Sequence, residues 1–135
     1  MDGTQAVSGT PNPRTAMIQS PSELLAENMR KAGLGPLPDG HAAHHMVAWD
    51  DSRAEIARDI LADANIPIND ARNGIYLPQT PENTVAEALE RHQTIHTDEY
   101  YQAIEDRLLK AAEADSVEGE LARIRNLIMR GEFPH

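Results

Sequence analysis

Histidines are the residues of this chain best suited to chemistry, and five of the six fall in two groups. The first group ends in the adjacent pair His44 and His45, and the second holds His92 and His96, four residues apart. Neutral imidazole is the commonest protein metal ligand and the usual general base near neutral pH. The chain has no cysteine, so a metal site would use nitrogen and oxygen ligands. The grouping predicts a metal site, a histidine base, or both.

Each histidine pair has two interpretations. Neighbours in an extended segment point to opposite sides, so one ring of His44 and His45 could hold a metal while the other faces a substrate as a base. The alternative is a buried core histidine beside an exposed one. His92 and His96 would share one face of a helix, as in the zinc motif H-E-x-x-H. Position 93 is Gln, which argues against a zinc protease.

The segment between the two groups adds further candidates: the Asn73 amide, four arginines and Trp49. Asn73 is either a turn residue before Gly74 or an amide that holds a catalytic histidine in the right tautomer. The four arginines could bind phosphate, although surface arginines are usually only solvated; they are Arg53, Arg58, Arg72 and Arg91. Trp49 is the only tryptophan, and such a residue is more often a core anchor than a stacking platform.

Size and charge limit the classes of protein. A chain of 135 residues suits one domain. A net charge of -10 is the wrong sign for a passive nucleic-acid-binding module, although a metal ion and a few local arginines would still let an enzyme bind phosphate. No apolar stretch approaches the roughly 20 residues of a membrane span, and we expect no membrane partner. The first residues do not resemble a classical signal peptide.

The pattern of apolar and capping residues predicts a mostly helical α+β domain. Residues 1–20 resemble a flexible linker or arm, and residues 21–135 form the single domain. Ser20, Pro21 and Glu23 form a capping box that opens the first helix, which Gly33 ends. The remaining predicted elements are helices over 54–64, from Asn83 or Thr84 to Arg91, over 97–114 and over 117–129, with short extended segments at 44–49 and 75–77.

Four segments together resemble one family. They are Ala43-His44-His45-Met46-Val47, Arg58-Asp59-Ile60-Leu61, the run from Ile68 through Asn73-Gly74 to Pro78, and His92 to Thr97 with Tyr100-Tyr101. In order and spacing they resemble the AHH nucleases of the HNH/endonuclease VII superfamily, over about residues 35–110. Such domains are typically found at the C-termini of bacterial polymorphic toxins. The chain has Ala48-Trp49 where some members carry a proline.

The resemblance implies a small ββα-metal core, two short strands and a helix, surrounded by additional helices. It implies one divalent metal ion, Mg, Mn, Ni or Zn. His44 and His96 would be metal ligands, and His92 a third ligand or a phosphate contact. His45 would be the general base and Asn73 the residue that orients it.

The function implied is that of a metal-dependent endonuclease toxin that hydrolyses nucleic acid, DNA more than RNA, in competitor bacteria. Arg72 and Arg91 would contact the substrate. The resemblance also implies secretion as part of a larger toxin, action in the target-cell cytoplasm and a cognate immunity protein as partner. Two alternatives stay open: a non-catalytic helical interaction module with a structural metal site, and a plain helical interaction domain whose histidines bind nothing.

Overall fold

The structure is a computed structural model that describes residues 20–78 and 97–135. The predicted helix ending at Arg91, and with it His92 and His96, lies outside the described residues. The described part is an α+β fold that is mostly helical, as predicted. In chain order its elements are α1 (Pro21–Lys31), β1 (His41–His45), α2 (Glu55–Asp63), β2 (Gly74–Pro78), α3 (Asp98–Glu113) and α4 (Val117–Met129), with 3-10 turns at Ser52–Ala54 and Ala71–Asn73.

Helix α1 begins at the predicted capping box. The Ser20 hydroxyl accepts a hydrogen bond from the Glu23 N–H at 3.1 Å, and the Glu23 carboxylate accepts one from the Ser20 N–H at 2.9 Å. Pro21 occupies the first turn, where its missing N–H leaves no hydrogen bond unmade. The helix ends at Lys31, and Gly33 adopts φ +91, a conformation that glycine tolerates without strain.

Strands β1 and β2 form an antiparallel pair whose register joins His41 to Pro78 and His45 to Gly74. The predicted extended segment at 44–49 was therefore placed too late. Met46 still donates its N–H to the Asn73 carbonyl at 2.8 Å, but Asn73 belongs to the 3-10 turn that precedes β2, so β1 ends at His45. Trp49 lies beyond the strand and is 48% exposed, so its interpretation as a core anchor was wrong.

The β1–β2 pair, called the hairpin below although residues 46–73 connect its strands, packs against different partners on its two faces. Ile75 and Leu77 of β2 join the large apolar cluster that is shared with α2, α3 and α4. Ala43 of β1 instead packs with Leu25 and Met29 of α1 in a small second cluster. Because side chains alternate along a strand, the two faces of the hairpin are the core side and the α1 side.

Helices α3 and α4 attach to the end of the hairpin that carries His45 and Gly74. The Tyr100 hydroxyl of α3 donates to the Met46 carbonyl at 2.7 Å. The Arg125 guanidinium of α4 donates to the carbonyls of Gly74 at 2.9 Å and Ala71 at 2.8 Å. These bonds fix both strands at one end. Among the described helices, none has the length and apolar character that crossing a membrane requires.

Candidate active site

His44 and His45 are the last two residues of β1 and lie on opposite sides of the hairpin. The register partner of His44 is Ile75, a core residue, whereas His45 pairs with Gly74 and shares the α1 side with Ala43. Both histidines are half-buried, and the Nε2 atom of His44 is itself inaccessible to water. The adjacent rings therefore lie in different surroundings, as an extended pair allows.

The imidazole of His45 is held by an amide. Its Nε2 atom lies 2.7 Å from Oδ1 of Asn69, in the turn between α2 and β2. Burial lowers the pKa of His45 below its ordinary value of 6.5, and the opposing effects of the Asn69 bond and the Asp50 carboxylate are smaller. The ring is consequently neutral at neutral pH, the state in which a histidine can accept a proton.

Helix α1 holds the main chain around His45 through two side-chain hydrogen bonds. The Asn28 side chain donates to the Asn69 carbonyl at 2.7 Å, and the Ser22 hydroxyl donates to the Ala43 carbonyl at 2.7 Å. Both bonds tie the helix to main chain that carries or contacts His45. No motif in the sequence marked Asn28 or Asn69 as a site residue.

Asn73, predicted to orient the histidine base, is completely buried and bonds main chain. Its Oδ1 accepts from the Val47 N–H at 2.8 Å, and its Nδ2 donates to the carbonyls of Val47 at 3.1 Å and Ile68 at 3.0 Å. The amide therefore shapes the chain directly after His45. The side-chain bond to the His45 ring comes from Asn69, so Asn73 acts on His45 only through the backbone.

A family model matches residues 25–128, and its family is described as a nuclease family of the HNH/ENDO VII superfamily with conserved AHH. The chain belongs to the AHH nuclease family. The conserved triplet corresponds to Ala43-His44-His45, at the end of β1. The match extends from α1 into α4, beyond the span of about 35–110 over which the sequence resembled the family. The comparisons with curated proteins and with solved structures gave no match.

Membership in the AHH nuclease family indicates a nuclease, and a nuclease binds nucleic acid. Of the two predicted substrate contacts, Arg91 lies outside the described residues. Arg72 bonds both carboxylate oxygens of Asp70 at 2.9 Å and reaches Glu118 at 3.1 Å. This bidentate pairing lowers the pKa of Asp70. Arg72 would have to leave these carboxylates to bind a phosphate.

Another arginine shapes the site through main-chain carbonyls. Arg58 of α2 donates to the carbonyls of Ala48 at 3.0 Å and Asp51 at 2.7 Å. It thereby fixes the loop that carries exposed Trp49 directly after the AHH triplet. With Asn73 bonding Val47, the main chain from residue 46 to 51 is held at several points.

Nucleases of the HNH/ENDO VII superfamily generally use a divalent metal ion. Within residues 20–78 and 97–135, no three His, Asp or Glu side chains come together as a metal-binding group. His44 is the one predicted ligand inside that part of the chain, and an imidazole nitrogen suits the metals considered. His92 and His96, the other predicted ligands, lie outside it. The described residues thus supply one donor, and the complete ligand set stays a prediction.

Proposed function

We propose that this AHH nuclease is a metal-dependent endonuclease that hydrolyses phosphodiester bonds, in DNA in preference to RNA, with His45 as the general base. The observation that carries the proposal is the bond between His45 Nε2 and Asn69 Oδ1 at 2.7 Å, in a ring kept neutral by burial. Such a ring has a fixed orientation and a free lone pair. The neighbouring His44 faces the other side of the strand and serves a separate role.

The chemistry assigned to His45 is removal of a proton from the attacking water. Attack on the phosphodiester adds negative charge to the phosphate oxygens, and deprotonated water is the better nucleophile. General-base catalysis typically accelerates a reaction by about 10²- to 10⁴-fold. A lowered pKa keeps the ring available as a base at neutral pH.

His44 is proposed as a metal ligand, with His96 as a second ligand and His92 as a third ligand or phosphate contact. When bound, a divalent ion acts as a Lewis acid that stabilises charge on the phosphate and on the leaving 3′ oxygen. Mg, Mn, Ni and Zn are the candidates. Arg72 and Arg91 are the proposed substrate contacts. In a chain of net charge -10, such local positive charge is needed to bind a phosphate.

We further propose that the nuclease is a toxin domain, secreted as part of a larger bacterial protein and active in the cytoplasm of a competitor. The support is the resemblance to AHH domains of polymorphic toxins. Such a toxin would endanger its producer, so an immunity protein is the proposed partner. The acidic chain is electrostatically suited to a partner with a basic surface.

A nicking assay on supercoiled plasmid tests the enzymatic proposal. The wild-type chain is assayed with Mg²⁺, Mn²⁺, Ni²⁺ or Zn²⁺ and with a chelator, beside a parallel assay on RNA. We expect cleavage that needs metal. His45→Ala should lower kcat by about 10²-fold or more while metal affinity persists. His44→Ala should weaken metal binding, measured by calorimetry.

His135→Ala is the matched control, because His135 is an exposed histidine at the end of the chain. Its activity should equal that of the wild type. Cleavage by His45→Ala at the wild-type rate would remove His45 from the role of base. Tight metal binding without cleavage of DNA or RNA would favour the non-catalytic module. Fluorescence of Trp49, the only tryptophan, can report nucleic-acid binding separately in the His45→Ala variant.

A further inference from the structure

We infer that Asn69 is the positioning residue of the proposed base: its side-chain oxygen holds the Nε2–H of His45 and leaves Nδ1 as the atom that takes the proton from water. This inference rests on the proposed function of His45. It assigns to Asn69 the orienting role that the sequence predicted for Asn73.

Hydrogen-bond chemistry indicates which ring nitrogen of His45 takes the proton from water. His45 Nε2 lies at hydrogen-bond distance, 2.7 Å, from Oδ1 of Asn69, and an amide oxygen can only accept. With Oδ1 as its partner, Nε2 is the donor and carries the hydrogen, a tautomer that nuclear magnetic resonance can test. In a neutral imidazole with Nε2 protonated, Nδ1 holds the lone pair. Of the two ring nitrogens, Nδ1 alone can then act as the base.

Asn69 is itself fixed, which distinguishes it from a surface side chain in a chance contact. Its main-chain carbonyl accepts from Asn28 of α1 at 2.7 Å. His45 lies on β1, Asn69 in the turn before β2 and Asn28 on α1, so three segments meet at Asn69, through its side chain and its main chain. A ring held in this way keeps its direction between turnovers, which is what a partner behind a functional histidine provides.

Asn73 cannot perform the same task while its own bonds persist. Both of its polar atoms bond the main chain of Val47 and Ile68 in a fully buried position. Its contribution is to the path of the backbone. Asn69 is the amide whose removal would free the His45 ring without removing the buried bonds of Asn73.

The test is nuclear magnetic resonance on the ¹⁵N-labelled full chain without added metal, at a pH of about 8, where imidazole is neutral. In the wild type, His45 should show a protected Nε2–H signal and an unprotonated Nδ1, with His45→Ala identifying the signal by its absence. Asn69→Ala should lose the signal through exchange with water. Asn69→Asp, which keeps an acceptor oxygen in the same shape, should retain it. Asn126→Ala, at an exposed asparagine of α4, should leave it unchanged.

Kinetics supply the second readout. Asn69→Ala should lower kcat by about 10- to 100-fold with little change in KM, as for other partners that orient functional histidines, and Asn69→Asp should restore part of the loss. Thermal melting of each variant checks folding. If Asn69→Ala does not fold, retention of the Nε2–H signal in Asn69→Asp supports the inference and its loss overturns it.

Three results would overturn the assignment: a hydrogen on Nδ1 of His45 in the wild type, an Nε2–H signal that survives in Asn69→Ala, or unchanged kcat in that variant. Failure of the proposed function looks different. A wild-type chain that shows the expected signal, loses it in Asn69→Ala and cleaves no nucleic acid contradicts the nuclease mechanism while the ring geometry stands.

Discussion

The two sides of the β1–β2 hairpin are built differently, although they share the same ten residues of strand. On the core side, Ile75 and Leu77 pack into a continuous apolar cluster with α2, α3 and α4. On the α1 side, a small cluster around Leu25 and Met29 is supplemented by polar bonds from the helix. His44 belongs to the first side and His45 to the second. Two residues adjacent in sequence therefore have surroundings of opposite character.

The difference indicates how the fold divides its tasks. Most of the buried apolar residues of the described part belong to the core-side cluster, and burial of apolar surface is the main stabilising term in folding. That side holds the hairpin rigidly. The α1 side has fewer apolar contacts, so we expect it to open locally at a lower free energy than the core side. The α1 side instead supplies the polar groups that orient the His45 ring, which can exchange protons.

We expect the largest effect on stability from Asn73. Its side chain bonds the main chain of Val47 and Ile68 at the core side of the hairpin. Asn73→Ala would leave the N–H and carbonyl of Val47 and the carbonyl of Ile68 without their side-chain partner. A buried polar group left without a hydrogen bond costs about 1–3 kcal/mol, so the loss should be about 3 kcal/mol or more. Urea unfolding followed by circular dichroism measures it.

The matched control for this substitution is Asn126→Ala, an exposed asparagine on α4. Its effect should stay within about 0.5 kcal/mol, as for other surface changes. A loss from Asn73→Ala no larger than the control would show that its buried bonds do not stabilise the core side. The core side would then owe its stability to apolar packing and not to the bonds of Asn73.

The second prediction concerns the α1 side. A Cβ atom at Gly74 would lie 2.5 Å from Sδ of Met29 and 2.9 Å from Cδ1 of Leu25. Gly74→Ala should therefore push α1 away and destabilise the protein by about 1–3 kcal/mol, as overpacking does. Hydrogen exchange should show protection lost in α1 while α3 and α4 keep theirs, because the clash lies on one side of the hairpin.

Two further variants sharpen this prediction. Gly119→Ala, on α4, places its Cβ no closer than 3.9 Å to a side-chain atom and should stabilise the helix by about 0.5–1 kcal/mol. Met29→Ala combined with Gly74→Ala should cost less than the two single changes added together, because the shorter side chain makes room. Strict additivity, or exchange that rises equally in α1 and α4, would contradict a clash confined to the α1 side.

The sequence predicted those parts of the fold that depend on local signals. The capping box placed the start of α1 correctly, and the periodic apolar residues of α4 gave its range of 117–129. It misplaced β1, because Met46 and Val47 look like a continuation of the strand. They leave the sheet where Asn73 bonds the backbone, a contact that spans 26 residues and has no local signal.

The candidate site shows the same limit. Period-two alternation predicted that His44 and His45 point to opposite sides, and the register agrees. The partner of the His45 ring could not be predicted in the same way. Asn69 is 24 residues from His45 along the chain, and Asn28 is 41 residues from Asn69, so both contacts depend on how the turn and α1 pack. A resemblance between sequences identifies candidate reacting groups, such as His45, more readily than the amide side chains that orient them, such as Asn69.

The smallest expected effect is a difference between two tyrosines that bond main chain on the two sides. Tyr100 donates to the Met46 carbonyl at 2.7 Å within the core, and Tyr76 donates to the Gly35 carbonyl at 3.0 Å in a partly buried position on the α1 side. Tyr100→Phe leaves a buried carbonyl unpaired and should cost about 1–3 kcal/mol, whereas water can replace the hydroxyl in Tyr76→Phe, which should cost about 0.5–1 kcal/mol. Each change removes one oxygen atom and adds none, so each variant is the control for the other in parallel urea unfolding. Equal losses would mean that burial does not separate the two sides, while a larger loss at Tyr76 would reverse the assignment of the rigid side.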